Sequence, residues 1–181
     1  MARGAHCVPR HCRMETCHYW TQTFPGITLT LVERSGELVV CAFGGDIKYI
    51  KSYLRQHLPK AHLVRKREPL QPMIAQLREY FAGDRKQFQI PVTLFGTVFQ
   101  MRVWNALRRI KYGETLTYGD LAAQLGDPHL ARAVGAACGA NPVAIVVPCH
   151  RIVGAGDKLT GYGGGIETKR RLLQLEGSVL I

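Results

Sequence analysis

The most informative absence in this 181-residue sequence is that of a long apolar run. No stretch reaches the roughly 18 to 20 apolar residues that a membrane helix needs. The N-terminus also lacks the short apolar segment that secretory signals carry. Hydrophobic residues still make up 46% of the chain, so a packed core is expected. The sequence therefore predicts a soluble cytoplasmic protein of one or two domains, with no membrane partner.

Acidic residues are scarce as well, with 13 Asp and Glu against 24 Lys and Arg and a formal net charge of +11. An excess of this size is typical of proteins that bind a polyanion, and it favours nucleic acid over a membrane surface. A protein that is merely basic and soluble remains the alternative on charge alone. If the protein is bacterial, binding to nucleic acid places it at the nucleoid.

The sequence also lacks the dense cysteine spacing of a disulfide scaffold, and we expect reduced thiols. Three cysteines lie near the N-terminus and three in apolar or helical surroundings, namely Cys7, Cys12, Cys17, Cys41, Cys138 and Cys149. The N-terminal Cys and His residues could bind zinc, but their spacings match no standard finger, so no metal or other cofactor is predicted. These zinc candidates are His6, Cys7, His11, Cys12, Cys17 and His18.

The chain begins with a short arm and a β-hairpin. Residues 1–13 are basic, lack periodicity and contain Pro9, which is typical of a disordered arm. Two β-branched runs, residues 27–33 and 37–43, are separated by the turn sequence "RSG". This pattern predicts an antiparallel pair of strands.

Helical patterns follow the hairpin. Apolar residues recur with helical spacing over 47–58 and again over 70–83, where a glycine closes the second helix. Residues 86–94 form an extended stretch with a proline, which suits an edge strand or a linker. We therefore expect a small N-terminal α/β domain with an antiparallel sheet over residues 14–94, and we see no catalytic group of residues in it.

The second half, residues 95–181, has a different character. Residues 97–110 are amphipathic with helical spacing, and two shorter helices follow over 116–126 and 127–141. Thr117 is a plausible N-cap of the first short helix. Two short helices joined by a glycine-containing turn predict a helix-turn-helix. The expected fold class is therefore α/β, with the N-terminal domain followed by a mostly helical C-terminal domain.

The second short helix carries almost no large side chains. A helix that reads the major groove normally presents long polar side chains, whereas a bare helix with one arginine suits a narrow groove and a wedge. The predicted DNA-binding residues are Ala131, Arg132, Gly135 and Ala136 on this helix and Thr117 at the start of the preceding one. A tightly packed internal helix is the alternative explanation of the same stretch.

The stretch "VVPCHRIVG" places a thiol beside an imidazole. Neighbours in a strand point to opposite faces, so Cys149 and His150 act together only if the chain bends at Pro148–Cys149. A histidine that serves as a base normally needs an orienting carboxylate, and Glu176 near the end of the last predicted helix is a candidate. A buried inert cysteine beside an unrelated histidine is the alternative.

Several stretches of the second half stand in the same order as in one known family. They are "TYGDLAAQLGDPHLARAVG", "NPVAIVVPCHRIVG", "LTGYGGG" and "LLQLEG". With them, the chain closely resembles the O6-alkylguanine-DNA alkyltransferases, also called methylated-DNA–protein-cysteine methyltransferases. The resemblance runs from about Phe99 to Gly177, whereas the first half is similar only in layout and in "LREYFAG".

The resemblance implies a role for each residue of the catalytic group. Cys149 matches the thiol that accepts the alkyl group, and His150 matches the histidine that deprotonates it through a water. Glu176 matches the carboxylate that orients this histidine. Asn141 matches the hinge asparagine between the helix-turn-helix and the active-site segment, and Tyr118 the tyrosine that donates a hydrogen bond to guanine N3.

The remaining implied roles concern the DNA and the base pocket. Arg132 matches the finger that fills the base stack once the damaged base has left. Tyr162 matches a wall of the pocket, and the backbone N–H of Gly163 lies where the family contacts O6. Ile152 and Gly164 complete the predicted pocket.

These assignments imply direct DNA repair. An alkyl group on guanine O6 lies inside a stacked duplex, so the nucleotide must be flipped out before a thiol can attack. The resemblance implies irreversible transfer to Cys149, one group per chain, from O6-alkylguanine or alternatively from O4-alkylthymine. The implied partner is double-stranded DNA with this damage, and no obligate protein partner is expected.

Two alternatives belong to other classes of protein. Alkyltransferase-like proteins bind DNA without transfer, but they replace the cysteine, usually with tryptophan. A cysteine hydrolase would use Cys149 and His150, yet such enzymes normally bring the histidine from a distant segment.

Overall fold

A four-stranded sheet forms the first part of the structure, a computed structural model that describes residues 15–178. The strands are β1 (Glu15–Phe24), β2 (Ile27–Arg34), β3 (Glu37–Phe43) and β4 (Ala61–Arg65). Their spatial order is β3-β2-β1-β4, in which β1–β2 and β2–β3 are antiparallel and β1–β4 is parallel. The predicted arm, with four of the six zinc candidates, lies outside the described residues.

The predicted hairpin is confirmed as β2 and β3. Ser35 and Gly36 connect them with φ values of 53° and 86°, the conformation that a tight turn between twisted strands requires. The Glu33 carboxylate accepts a hydrogen bond from the Gly36 N–H at 2.7 Å and also lies 2.5 Å from His18 Nδ1. Strands β1 and β4 were not predicted from the sequence.

Two helices cover opposite faces of this sheet. Helix α1 (Lys48–His57) packs in a cluster with Cys17 and Val32, whereas α2 (Gln71–Ala82) packs in the main core with Leu29. Both helices agree with the predicted ones, and α2 ends at Gly83, whose φ is 85°. Hydrophobic burial on both faces therefore stabilises the small sheet.

The extended segment that follows α2 lies beside β3. Val92 forms an isolated parallel bridge with Leu38, and the Leu38 N–H donates to the Pro91 carbonyl at 2.8 Å. Pro91 lacks a backbone donor but contributes its carbonyl, which is how a proline fits at a sheet edge.

The second half is mostly helical. Its first elements are α3 (Val98–Leu107), the two-residue strand β5 (Leu116–Thr117), α4 (Tyr118–Gln124) and α5 (Ala131–Gly139). Thr117 caps α4, because its hydroxyl accepts from the Asp120 N–H at 3.0 Å while the Asp120 carboxylate accepts from the Thr117 N–H. A single 3₁₀ turn, residues 128–130, separates α4 from α5.

The chain ends with a short strand and a helix, and one core joins the two halves. Strand β6 (Ile152–Val153) pairs in parallel with β5, and α6 (Ile166–Leu175) follows a glycine-rich loop. The main hydrophobic cluster contains residues of the sheet, of α2 and of the helices after residue 97. A small, largely antiparallel sheet followed by a helical region confirms the predicted fold class. Between residues 15 and 178, no helix is long and apolar enough to cross a membrane.

Candidate active site

The segment that carries Cys149 is held against the sheet and then bends sharply. Cys41 of β3 forms a bridge with Val143, and its N–H donates to the Pro142 carbonyl at 2.9 Å. Ile145 has a φ of 71°, a strained conformation for a β-branched residue. Residues 149–151 then form a 3₁₀ turn. The chain therefore bends after Pro148, which is the condition for Cys149 and His150 to act together.

The Cys149 thiol is buried and hydrogen-bonded. Its side chain is almost inaccessible, with 7% exposure, and the Asn141 amide donates to Sγ at 3.2 Å and to the Val147 carbonyl at 2.8 Å. Burial raises the pKa of the Cys149 thiol, while the Asn141 hydrogen bond and the charge of Lys169 act in the opposite direction. Asn141 and Lys169 are thus the groups that favour the thiolate.

His150 and Glu176 form a buried pair. His150 Nε2 lies 2.9 Å from Glu176 Oε1, and His150 has no exposed surface. Burial lowers the pKa of His150, although the Glu176 carboxylate opposes this effect. A neutral imidazole that donates from Nε2 keeps a lone pair on Nδ1, which has no hydrogen-bond partner among the described residues.

The Glu176 carboxylate is the centre of a larger network. Arg151 donates from Nε to Oε2 at 2.8 Å and from Nη2 to Oε1 at 2.9 Å. The Tyr80 hydroxyl donates to Oε1 at 2.7 Å. Burial would raise the pKa of Glu176, but the hydrogen bonds from His150 and Arg151 outweigh it and hold this pKa well below the ordinary range. Tyr80 belongs to α2, so the first half, for which no catalytic group of its own was predicted, contributes one hydrogen bond to this network.

A cavity of about 310 Å³ opens beside Cys149. Among the predicted pocket residues, Tyr162 and Gly163 line it, but Ile152 and Gly164 do not. Ile152 is fully buried in the core, where β6 pairs with β5. At Gly164, a Cβ atom would lie 2.8 Å from the Phe43 ring. Gly164 is therefore a close-packing position against the sheet rather than part of the pocket wall.

The first half supplies one side of the same cavity. Phe43, Asp46 and Tyr49 line it together with the thiols of Cys41 and Cys138. The Phe43 ring meets Tyr162 edge-on, with ring centroids 5.3 Å apart. No local pattern in the sequence indicates this side, because these residues approach Cys149 only through the pairing of β3 with the active-site segment.

The bare helix α5 has one packed side and one open side. Val134 and Ala137 are buried, and the Trp104 indole donates to the Ala137 carbonyl at 2.8 Å. Arg132 and Ala136 are exposed. One side of the helix is therefore packed against the core, and the other side is open to solvent.

The other predicted DNA-binding residues lie at the junction of α4 and α5. Ala131 is half-buried, and a Cβ at Gly135 would lie 3.6 Å from the Tyr118 ring, an ordinary contact. Thr117 uses its hydroxyl in the cap of α4. Gly135 thus packs against Tyr118, whereas Arg132 and Ala136 form the exposed surface of the helix.

Tyr118 and Lys169 lie close to one another near the thiol. The Tyr118 hydroxyl accepts from Thr160 Oγ1 at 3.3 Å, which leaves its own proton available for donation. Lys169 of α6 is fully buried, and its Nζ donates to the Thr160 carbonyl at 3.2 Å and lies 5.9 Å from the Tyr118 ring centre. Burial lowers the pKa of Lys169. Sequence reasoning missed Lys169, since a lysine on an amphipathic helix is normally exposed.

The fold and the site together describe a class of α/β protein. Its chain has two parts, and a buried thiol and a His–Glu pair lie beside two short helices. The family model described as "6-O-methylguanine DNA methyltransferase, DNA binding domain" matches residues 98–178. An inducible methylated-DNA–protein-cysteine methyltransferase of Bacillus subtilis is 47% identical over 130 residues, which are 72% of this chain and 73% of that protein. The chain belongs to the methylated-DNA–protein-cysteine methyltransferase family, as the sequence resemblance predicted.

Other relatives agree with this assignment. The protein of the same name from Mycobacterium bovis is 59% identical over 105 residues, and the match spans 58% of this chain but only 64% of that protein. The crystal structure of Mycobacterium tuberculosis OGT in complex with DNA is 44% identical and superposes with a TM-score of 0.76. That alignment covers 88% of this chain and 92% of the other.

Proposed function

We propose that this protein repairs alkylated DNA by transferring an alkyl group from O6 of guanine to Cys149, once per chain. The observation that carries the proposal is the buried thiol of Cys149, which the Asn141 amide contacts at 3.2 Å beside the His150–Glu176 pair. Cys149 is also the thiol that matches the family's acceptor position.

The reaction begins with loss of the thiol proton. His150 is held by Glu176 through Nε2, so its free Nδ1 is the atom that accepts the proton, through a bridging water. The imidazolium that forms lies against a carboxylate whose pKa is held low, which stabilises the charged pair. Asn141 and Lys169 stabilise the thiolate at the same time.

The thiolate then attacks the alkyl carbon. A carbon–sulfur bond forms at Cys149 while the bond between that carbon and guanine O6 breaks, and the electron pair leaves with the base. Tyr118, whose hydroxyl proton is not used by Thr160, donates to the departing base at N3 and stabilises its negative charge. The thioether is stable, and no step restores the thiol, so each chain reacts once.

Three features support DNA binding: the net charge, the open side of α5 and the cavity beside Cys149. The net charge of +11 supplies attraction to phosphates, which makes affinity salt-dependent and nearly independent of sequence. The open side of α5 presents Arg132 and small residues, which suits approach to a minor groove. The flipped base would enter the cavity between Tyr162 and Gly163, next to Cys149.

A stoichiometry assay tests the proposal. A duplex with one methyl-labelled O6-methylguanine, in ten-fold excess over protein, should give one labelled methyl group per chain and then no further reaction. Cys149→Ser should bind the duplex with unchanged affinity and transfer nothing. Repeated turnover, or hydrolysis of ester or peptide substrates by an unmodified protein, would instead support a cysteine hydrolase.

A further inference from the structure

A second cavity lies beside the active-site segment and shares no lining residue with the cavity at Cys149. Its volume is about 480 Å³. Residues 145, 146, 148 and 151 form one side, and residues 108–112, which follow α3, form another. No residue of α5 lines it, so it is distinct from the surface proposed for DNA.

Every charged side chain that lines this cavity, as far as residues 15–178 show, is a cation. Among the described residues that line it there is no carboxylate, but there are five cations: Lys86, Arg108, Arg109, Lys111 and Arg151. Arg151 is already neutralised by Glu176. Lys111 has only a distant, exposed contact with Glu114 at 3.9 Å, which stabilises little.

Two adjacent arginines of this cavity, Arg108 and Arg109, have no counter-charge among the residues that the structure describes. Between residues 15 and 178, neither Arg108 nor Arg109 makes an ion pair or a side-chain hydrogen bond. Both side chains are exposed, so their guanidinium groups are accessible to a ligand in the cavity. Arginine guanidinium groups bind phosphate with two parallel hydrogen bonds, so this pair suits a phosphorylated ligand.

The walls and the size of the cavity indicate which class of ligand it can bind. Ile90, Ile145, Val146 and Pro148 provide an apolar wall, and Tyr112 lies between Lys86 and Arg151, with those charges 5.8 Å and 6.0 Å from its ring centre. A volume of about 480 Å³ falls in the range of small-molecule sites and is too small for a duplex. A single strand would need a longer groove with several stacking rings.

We propose that this cavity binds a nucleotide, with its phosphates on Arg108 and Arg109 and its base against the apolar wall. This proposal does not depend on alkyl transfer, since Arg108 and Arg109 lie outside the network around Glu176 and the site is tested by binding alone. Its failure would leave the proposed repair function untouched, and failure of repair would leave this site intact.

Calorimetric titration of the full chain with ATP and with inorganic triphosphate tests the site. Both probes should bind saturably, and ATP should bind more tightly because only ATP has a base for the apolar wall. The double variant Arg108→Gln/Arg109→Gln should lose at least about ten-fold in affinity for both probes, since each charged hydrogen bond contributes substantially. The matched control Arg55→Gln/Arg78→Gln removes two exposed arginines elsewhere and should lose less than about two-fold.

Several outcomes would overturn the proposal. They are absence of saturable binding, equal losses in the two double variants, and displacement of ATP by a single-stranded 12-mer that binds more tightly. An equal loss of duplex affinity in the cavity variant would make the cavity part of the DNA surface. If the double variant fails to fold, Lys86→Gln, which changes an exposed side chain, should still weaken triphosphate binding more than Arg78→Gln does.

Discussion

The two halves of this molecule differ in what they contribute to the same site. The half after residue 97 supplies the groups with chemistry, namely the thiol, the imidazole and the carboxylate. The half before it supplies the surroundings, because Tyr80 donates to Glu176 and Phe43 lines the cavity beside Tyr162. The pKa values of the thiol and the imidazole are set largely by burial, and burial here requires both halves. The environment of the reactive groups thus depends on residues of the first half.

The largest effect is expected from substitution of Glu176, the centre of the buried hydrogen-bond network. Glu176→Gln leaves Arg151 and His150 without their carboxylate, and it should lower the free energy of unfolding by about 3–5 kcal/mol. It should also greatly slow transfer. Because the folded-state pKa of Glu176 is depressed, its stabilisation is present above the ordinary carboxyl pKa of about 4.3 and is lost as pH falls towards the folded-state pKa.

Urea unfolding at several pH values measures this difference. The gap between wild type and Glu176→Gln should be greatest near neutral pH and should shrink in acid. Glu167→Gln is the control, since Glu167 pairs with Arg170 on the exposed side of α6 and should cost less than about 1 kcal/mol. Equal losses in the two variants would argue against a special role for the buried carboxylate.

Removal of the exposed arginine on α5 tests the proposed DNA-binding surface. Arg132→Ala should slow reaction with a modified duplex by about ten- to several-hundred-fold, because the flipped state loses the group that fills the stack. Reaction with free O6-benzylguanine should change little. Rapid-quench rates on both substrates measure this, and equal losses on both would place Arg132 in the chemistry instead.

A substitution in the glycine-rich loop before α6 tests the contact between the two halves. Gly164→Ala should destabilise the fold by about 1–3 kcal/mol, because the new Cβ would lie 2.8 Å from the Phe43 ring. Gly163→Ala should be almost neutral, since nothing lies within 4 Å of its Cβ position. Thermal unfolding compares the two, and an unaffected Gly164→Ala variant would contradict the close packing against β3.

The substitution Tyr80→Phe isolates the contribution of the first half to catalysis. Tyr80→Phe removes one hydrogen bond to Glu176 and keeps the ring, so we expect a loss of about 1–3 kcal/mol in stability, as for a buried charged acceptor. The pH dependence of single-turnover transfer should shift as well, because His150 shares the same carboxylate oxygen. Tyr53→Phe, which removes a hydroxyl bonded to the Phe95 carbonyl, is the control and should leave the pH profile unchanged.

Sequence reasoning succeeded where signals are local and failed where contacts are distant. Cys149 and His150 are neighbours, and the hairpin and helices show regular spacing and recognisable turns and caps. Strand β1 was missed because most of its residues are polar and only Cys17 and Phe24 are buried, and β4 because it has only five residues. Tyr80 lies 96 residues from Glu176, so only the folded core reveals their hydrogen bond.

Identification of the thiol that accepts the alkyl group is the most direct measurement, because three thiols line one cavity. Cys41, Cys138 and Cys149 all border it, and burial raises the thiol pKa of each one, that of Cys138 to about 12. Peptide mapping by mass spectrometry, after reaction with an O6-methylguanine duplex, should find one methyl group, on Cys149. Cys41→Ser and Cys138→Ser should keep this product, whereas Cys149→Ser should give none. Methylation of Cys41 or Cys138, or of more than one thiol per chain, would contradict the account.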